Sequence, residues 1–172
     1  MSTLSRHGGL ALLLALSCGP PEATPRTGDV DGSDPRDELS SSDAAVFTGC
    51  DGVPAFGLGS RADSRNGRVQ AALLAASALP PVRFLNDWTV SLELPEGGSL
   101  DDATVRSVSA YMPHHGHYGK PAPIVTQRAD RPDAFEIDAL NLFMRGGWQV
   151  QLTVSSPSAG EDQLVFEVCV EE

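Results

Sequence analysis

Three runs in this chain alternate apolar and polar residues with a period of two. They are Trp88-Thr89-Val90-Ser91-Leu92-Glu93-Leu94, Trp148-Gln149-Val150-Gln151-Leu152-Thr153-Val154, and the even positions of Leu164 to Val170. Successive side chains of a strand point to opposite faces, so each run presents one apolar face and one wet face. Shorter candidates are Arg68 to Ser77, Ala103 to Met112, Ile124 to Gln127 and Ala134 to Ala139. Turn residues separate them: Asn66-Gly67, Pro80-Pro81, Glu96-Gly97-Gly98, Arg131-Pro132-Asp133, Gly146-Gly147 and Pro157 to Gly160. Seven or eight short strands without a long amphipathic helix predict an immunoglobulin-like antiparallel β-sandwich. Val69 to Leu79 is alanine-rich enough to read as a helix, but its loose alternation and the Pro80-Pro81 stop favour a strand. Trp88 and Trp148 head inward-facing stripes and are expected in the core.

The sandwich is expected to occupy residues 46–172, a usual size for one domain. Ahead of it, residues 1–17 carry Arg6 as their only formal charge and an apolar run from Leu10 to Leu16. That run is far short of the roughly 20 residues of a spanning helix, and it reads as a signal peptide. Leu14-Ala15-Leu16-Ser17-Cys18 resembles a bacterial lipobox, which makes Cys18 the expected lipid attachment site and a membrane the expected partner. Ordinary secretory cleavage near Ser17 is the alternative. Residues 18–45 hold seven acids against Arg26 and Arg36, with several Pro, Ser and Gly and no aromatic residue. Such a composition cannot bury enough apolar surface to offset its ordering entropy, so a flexible acidic tether is expected.

The whole chain has a formal charge of −11, and Lys120 is its only lysine. No basic patch exists to neutralise phosphates, so nucleic acid is not an expected partner. Nor does a catalytic signature appear: there is no Gly-x-Ser-x-Gly elbow, no His-Glu-x-x-His and no phosphate-cradling glycine loop. An enzyme is not expected.

With Cys18 assigned to lipid, Cys50 and Cys169 remain. They lie near the two ends of the proposed domain, and an exported chain sits where disulfides persist, so a Cys50–Cys169 bridge is expected. Metal ligation by the pair is the competing reading, although no Cys-x-x-Cys spacing accompanies either residue.

Chemistry gathers in Tyr111-Met112-Pro113-His114-His115-Gly116-His117-Tyr118-Gly119-Lys120. Every histidine except His7 lies here, and Met112 and Met144 are the only methionines after the initiator. Val108, Ala110 and Met112 share one strand parity, and Pro113 ends the ladder because it has no N–H to donate. The histidines are therefore expected in a loop, with His115 and His117 pointing one way and His114 the other. Thioether and imidazole together suit copper, whereas thioether is a poor zinc ligand. The expected site is Met112, His115, His117 and Met144, provided that the two connections lie at one end of the sandwich. Otherwise the methionines are core fillers and the histidines a solvated loop.

These residues also carry a family resemblance. Tyr111 to Gly119 resembles the M-P-x-H-G-H-G stretch of YtkA-like (FixH-type) domains, Leu142 to Val150 their F-x-M-x-G-x-W segment, and Asn86 to Val90 their opening N-x-W-T-V. The likeness spans roughly Val82 to Val170. It departs at Tyr118, where the pattern has glycine, and at Gly146-Gly147, where it has Pro-Gly. The resemblance implies an immunoglobulin-like, exported or membrane-tethered domain, in some cases associated with copper supply to respiratory oxidases. It implies Met112, His115, His117 and Met144 as ligands. Two functions are thus expected in competition: a periplasmic copper-binding lipoprotein that delivers its metal to an envelope protein such as a respiratory oxidase, and a metal-free envelope interaction or structural domain.

Overall fold

A computed structural model of the chain describes residues 49–171. The expected signal peptide, the Cys18 lipid site, the tether and the first residues of the expected domain lie outside the described residues.

Among the described residues, nine strands form two antiparallel sheets. They are β1 (Arg61–Asp63), β2 (Gln70–Ala76), β3 (Phe84–Glu93), β4 (Thr104–Met112), β5 (His117–Tyr118), β6 (Ile124–Gln127), β7 (Ala134–Leu142), β8 (Gly146–Ser156) and β9 (Gly160–Val170). One sheet has the order β1-β2-β3-β7-β6 and the other β5-β4-β8-β9. Lettering the strands in chain order from β2 gives A-B-E-D against C′-C-F-G, the immunoglobulin arrangement. The alanine-rich stretch forms β2, because its alternate residues meet the core on one side while its backbone pairs with β3. Two very short strands exceed the expected seven or eight. β1 is a three-residue edge, and β5 takes His117 out of the loop in which sequence had placed all three histidines.

The core lies between the sheets. Val90 and Leu92 of β3, Val150, Leu152 and Val154 of β8, and Leu164, Phe166, Val168 and Val170 of β9 are buried, in keeping with the alternation of each run, except that Leu94 lies past the end of β3 and is exposed. Trp88 and Trp148 are buried as expected. The buried core side chains run from Ala62 to Val170, so a chain that starts well before Ala62 keeps the hydrophobic contacts that hold the sheets together.

The segment before β1 closes the gap between β9 and the other sheet. Phe56 reaches between the layers, its ring 4.8 Å from that of Trp88 and 6.0 Å from that of Phe166. Cys50 is bonded to Cys169, across a sequence separation of 119. The segment can approach this closely because residue 147 is glycine: a Cβ there would run into the Gly49 carbonyl, and one on Gly49 into the His114 ring. The second glycine of the pair before Trp148 is thereby explained.

Candidate metal centre at one end of the sandwich

The β2–β3, β4–β5 and β7–β8 connections all lie at the end where β9 finishes, as the registers require. The β4–β5 connection is a tight reversal. The amides of His115 and Gly116 donate to the Met112 carbonyl at 3.2 and 2.9 Å, and Gly116 has φ 65°, a conformation that glycine adopts at no steric cost. Pairing then resumes, Met112 opposite His117 and Tyr111 opposite Tyr118. The two tyrosine rings meet at 4.8 Å.

His115 and His117 are brought together. Their rings are exposed and nearly parallel, inclined by 8° with centroids 5.8 Å apart. Two imidazoles sharing one ion through metal–nitrogen bonds of about 2 Å have centroids no more than about 6.3 Å apart, a limit set by ring size and bond length. The observed spacing is inside it, but an imidazole binds a metal in its ring plane, so one of the two stacked rings must also turn toward the ion. His114 goes elsewhere, into a groove of about 270 Å³ lined by Asp51, Gln149 and Glu167 among others.

Met112 is the cross-strand partner of His117, and such partners project from the same side of a sheet. It is 1 % exposed and belongs to the core, at the end of the stripe Val108, Ala110, Met112. Met144 is half-buried and packs against the same core from the β7–β8 connection. Its carbonyl accepts the Trp148 indole N–H at 2.9 Å, which fixes the turn. Phe143 links the two connections, its ring 6.3 Å from His117 and 5.4 Å from Trp148.

The four residues singled out in sequence thus converge on one end. The imidazoles lie outside, one methionine is inside, and one is at the rim. Sequence reasoning missed the part of Phe143, although it stands in the same Phe-x-Met segment as Met144 and its aromatic character beside a turn was the available signal. Among the described residues, no group of three or more His, Cys, Asp or Glu is arranged to hold a metal ion. No family model, no curated protein and no solved structure matches this chain.

Proposed function

We propose that this is an exported, membrane-tethered domain of the YtkA-like kind that binds Cu(I) as cargo at the Met/His end of its sandwich and passes it to an envelope protein such as a respiratory oxidase. The observation that carries the reading is the pair of parallel His115 and His117 imidazoles standing over the end that holds both Met112 and Met144. The donor chemistry fits, since thioethers prefer the soft monovalent ion and imidazole accepts copper in either oxidation state. His115 and His117, being exposed, are the groups that first meet an incoming ion. Met144 at the rim and Met112 beneath His117 supply the sulfur, and Phe143 keeps His117 against the apolar end.

One observation favours the second reading, a metal-free interaction domain: Met112 is as buried as any core residue. A Cu(I) competition titration of the chain from Gly19 to Glu172, under conditions that keep copper reduced, separates the two. Met112→Leu keeps the core volume and removes only the thioether. Stoichiometric binding that weakens by at least about tenfold in Met112→Leu and in His117→Ala, some 1.4 kcal/mol each, supports a shared site. Binding that is weak and indifferent to Met112 assigns the domain to interaction without metal.

A further inference from the structure

The exposed apolar residues Leu79, Val82, Phe84 and Leu85 stand among Arg83 and Asp87, charges of both signs, and select no partner. The outer face of the second sheet is different. β8 contains no charged residue and β4 only Arg106, at the bulge between Val105 and Ser107, in a chain that is 20 % charged with a formal charge of −11. Alternate residues of both strands are buried, so Gln149, Gln151, Thr153 and Ser155 of β8 and Ser107 and Ser109 of β4 face outward. The solvated face of an antiparallel sheet is where Lys, Arg, Asp and Glu usually stand, and here hydroxyls and amides take their place. The Gln151 amide donates to Gln149 Oε1 at 3.4 Å, which leaves Gln149 an amide nitrogen with two N–H donors.

Two tyrosines border this face. Tyr111 is the cross-strand partner of both Tyr118 and Gln149, so the three side chains project from one side of the sheet. The two rings meet at 4.8 Å, inclined by 39°, and Tyr118 is 52 % exposed. β5 thereby divides its two residues, His117 toward the side that carries Met112 and Tyr118 toward the outer face. Beyond Gln149 the row continues to Glu167, its partner on β9. There it meets the groove of about 270 Å³ whose walls include Asp51, His114, Gln149 and Glu167, a size near the lower limit for small-molecule sites. Tyr118, Tyr111, Gln149 and Glu167 thus form one row across four strands, a span of about 14 Å at the usual strand spacing.

We infer that this row binds a neutral glycan, with one sugar ring on Tyr118 and the hydroxyls of the next on Gln149, Glu167 and Asp51. A pyranose has an apolar C–H face and an edge of hydroxyls, each of them both donor and acceptor. The face packs on an aromatic ring, and the edge pairs with amides and carboxylates. The row supplies these groups in sequence, ring, amide, carboxylate, and is longer than one sugar, so the ligand is an oligosaccharide or a segment of a polysaccharide. A polyanion is excluded by charge, because it would meet Asp51 and Glu167 and find no cation on β8. Neither copper nor a lipid anchor enters the inference.

The test is affinity electrophoresis of the chain from Gly19 to Glu172 through native gels containing hydroxyethylcellulose, laminarin or arabinoxylan, all neutral polysaccharides, against gels without them. At least one of the three is expected to retard the wild type, and Tyr118→Ala and Gln149→Ala are each expected to weaken that retardation about fivefold or more. Tyr118→Phe keeps the ring and should keep the retardation; a loss as large as in Tyr118→Ala would overturn the stacked geometry. A wild type that none of the polysaccharides retards overturns the inference, and so does retardation indifferent to both alanine variants. A concentration-dependent dimer that Tyr118→Ala abolishes also overturns it, because the face would then be a contact between copies. Cu(I) titration of Gln149→Ala is expected to match the wild type, since Gln149 and Met112 face opposite sides of the sheet.

Discussion

The two ends of this sandwich are built on opposite principles. At the far end, polar groups answer one another. The Asp102 carboxylate accepts from the hydroxyls of Ser156 and Ser158 at 2.7 and 3.1 Å, Asp162 accepts from the amides of Asn66 and Gln163, and Arg131 pairs with Asp133 at 3.1 Å. The near end leaves imidazoles and four apolar side chains facing outward and tolerates a left-handed phenylalanine. Local rules are obeyed where the chain only needs to turn, and they are broken where imidazoles and apolar side chains are displayed. Departures of that kind concentrate where a fold does something besides fold.

The sharpest way to break this contrast is to release the near end from its covalent tie. The Cys50–Cys169 bond closes 119 residues, and a loop of this length restricts the unfolded chain by about 4–5 kcal/mol. Cys50→Ala/Cys169→Ala is expected to lower unfolding stability by about that much in urea titration. The seating of Gly49 against Gly147 should loosen with it, while amide protection around Asp102 and Asp162 falls only to the new global limit. A loss under about 1 kcal/mol would show that the bridge neither constrains the unfolded chain nor holds the near end.

Most of the frame was legible before any coordinates. Strict alternation in β3, β8 and β9 determines their inward residues, and the Cys50–Cys169 bond joins the two cysteines that lie near the ends of the domain. What escaped was set by contacts distant in sequence. β5 exists because the reversal at Gly116 lets two residues resume pairing with Tyr111 and Met112, and no pattern is readable in two residues. Phe84 to Asp87 extends β3 backward beyond its alternating run, held by pairing with β7 and by Asn86. At the site, spacing placed His115 and His117 together, whereas the burial of Met112 depended on how far β4 runs into the core before Pro113 stops it.

A smaller effect tests whether the near end stores strain. The left-handed conformation costs a side chain about 1–2 kcal/mol, and glycine gives back about 0.5–1 kcal/mol through the entropy of the unfolded chain. Phe84→Gly is therefore expected to raise stability by about 0.5–1 kcal/mol, although it deletes an aromatic side chain. Phe84→Ala keeps the Cβ and should gain nothing. If both variants destabilise equally, position 84 holds no strain, and the exposed ring contributes to the fold more than its surroundings imply.

The smallest effect belongs to the far end and appears only with pH. Burial raises the pKa of Asp162, but hydrogen bonds from the Ser64 hydroxyl and the Gln163 and Asn66 amides, together with the charge of Arg68, outweigh it and hold the carboxyl below its usual value. A carboxylate depressed in the folded state contributes stability that is present above its unfolded pKa of about 3.9 and is lost as pH falls through the lower folded value. Between pH 5 and acid below that range, the wild type should therefore lose stability more steeply than Asp162→Asn, which has no proton to take up there. Thermal unfolding of both proteins across this interval measures the difference in slope. Parallel curves would mean that the Asp162 cluster gives the folded state no preference for the ionised carboxyl. Because Asp162 does not touch the imidazoles, Asp162→Asn should also leave Cu(I) titration unchanged. A change in it would couple the two ends through the β8–β9 ladder and end the division of labour between them.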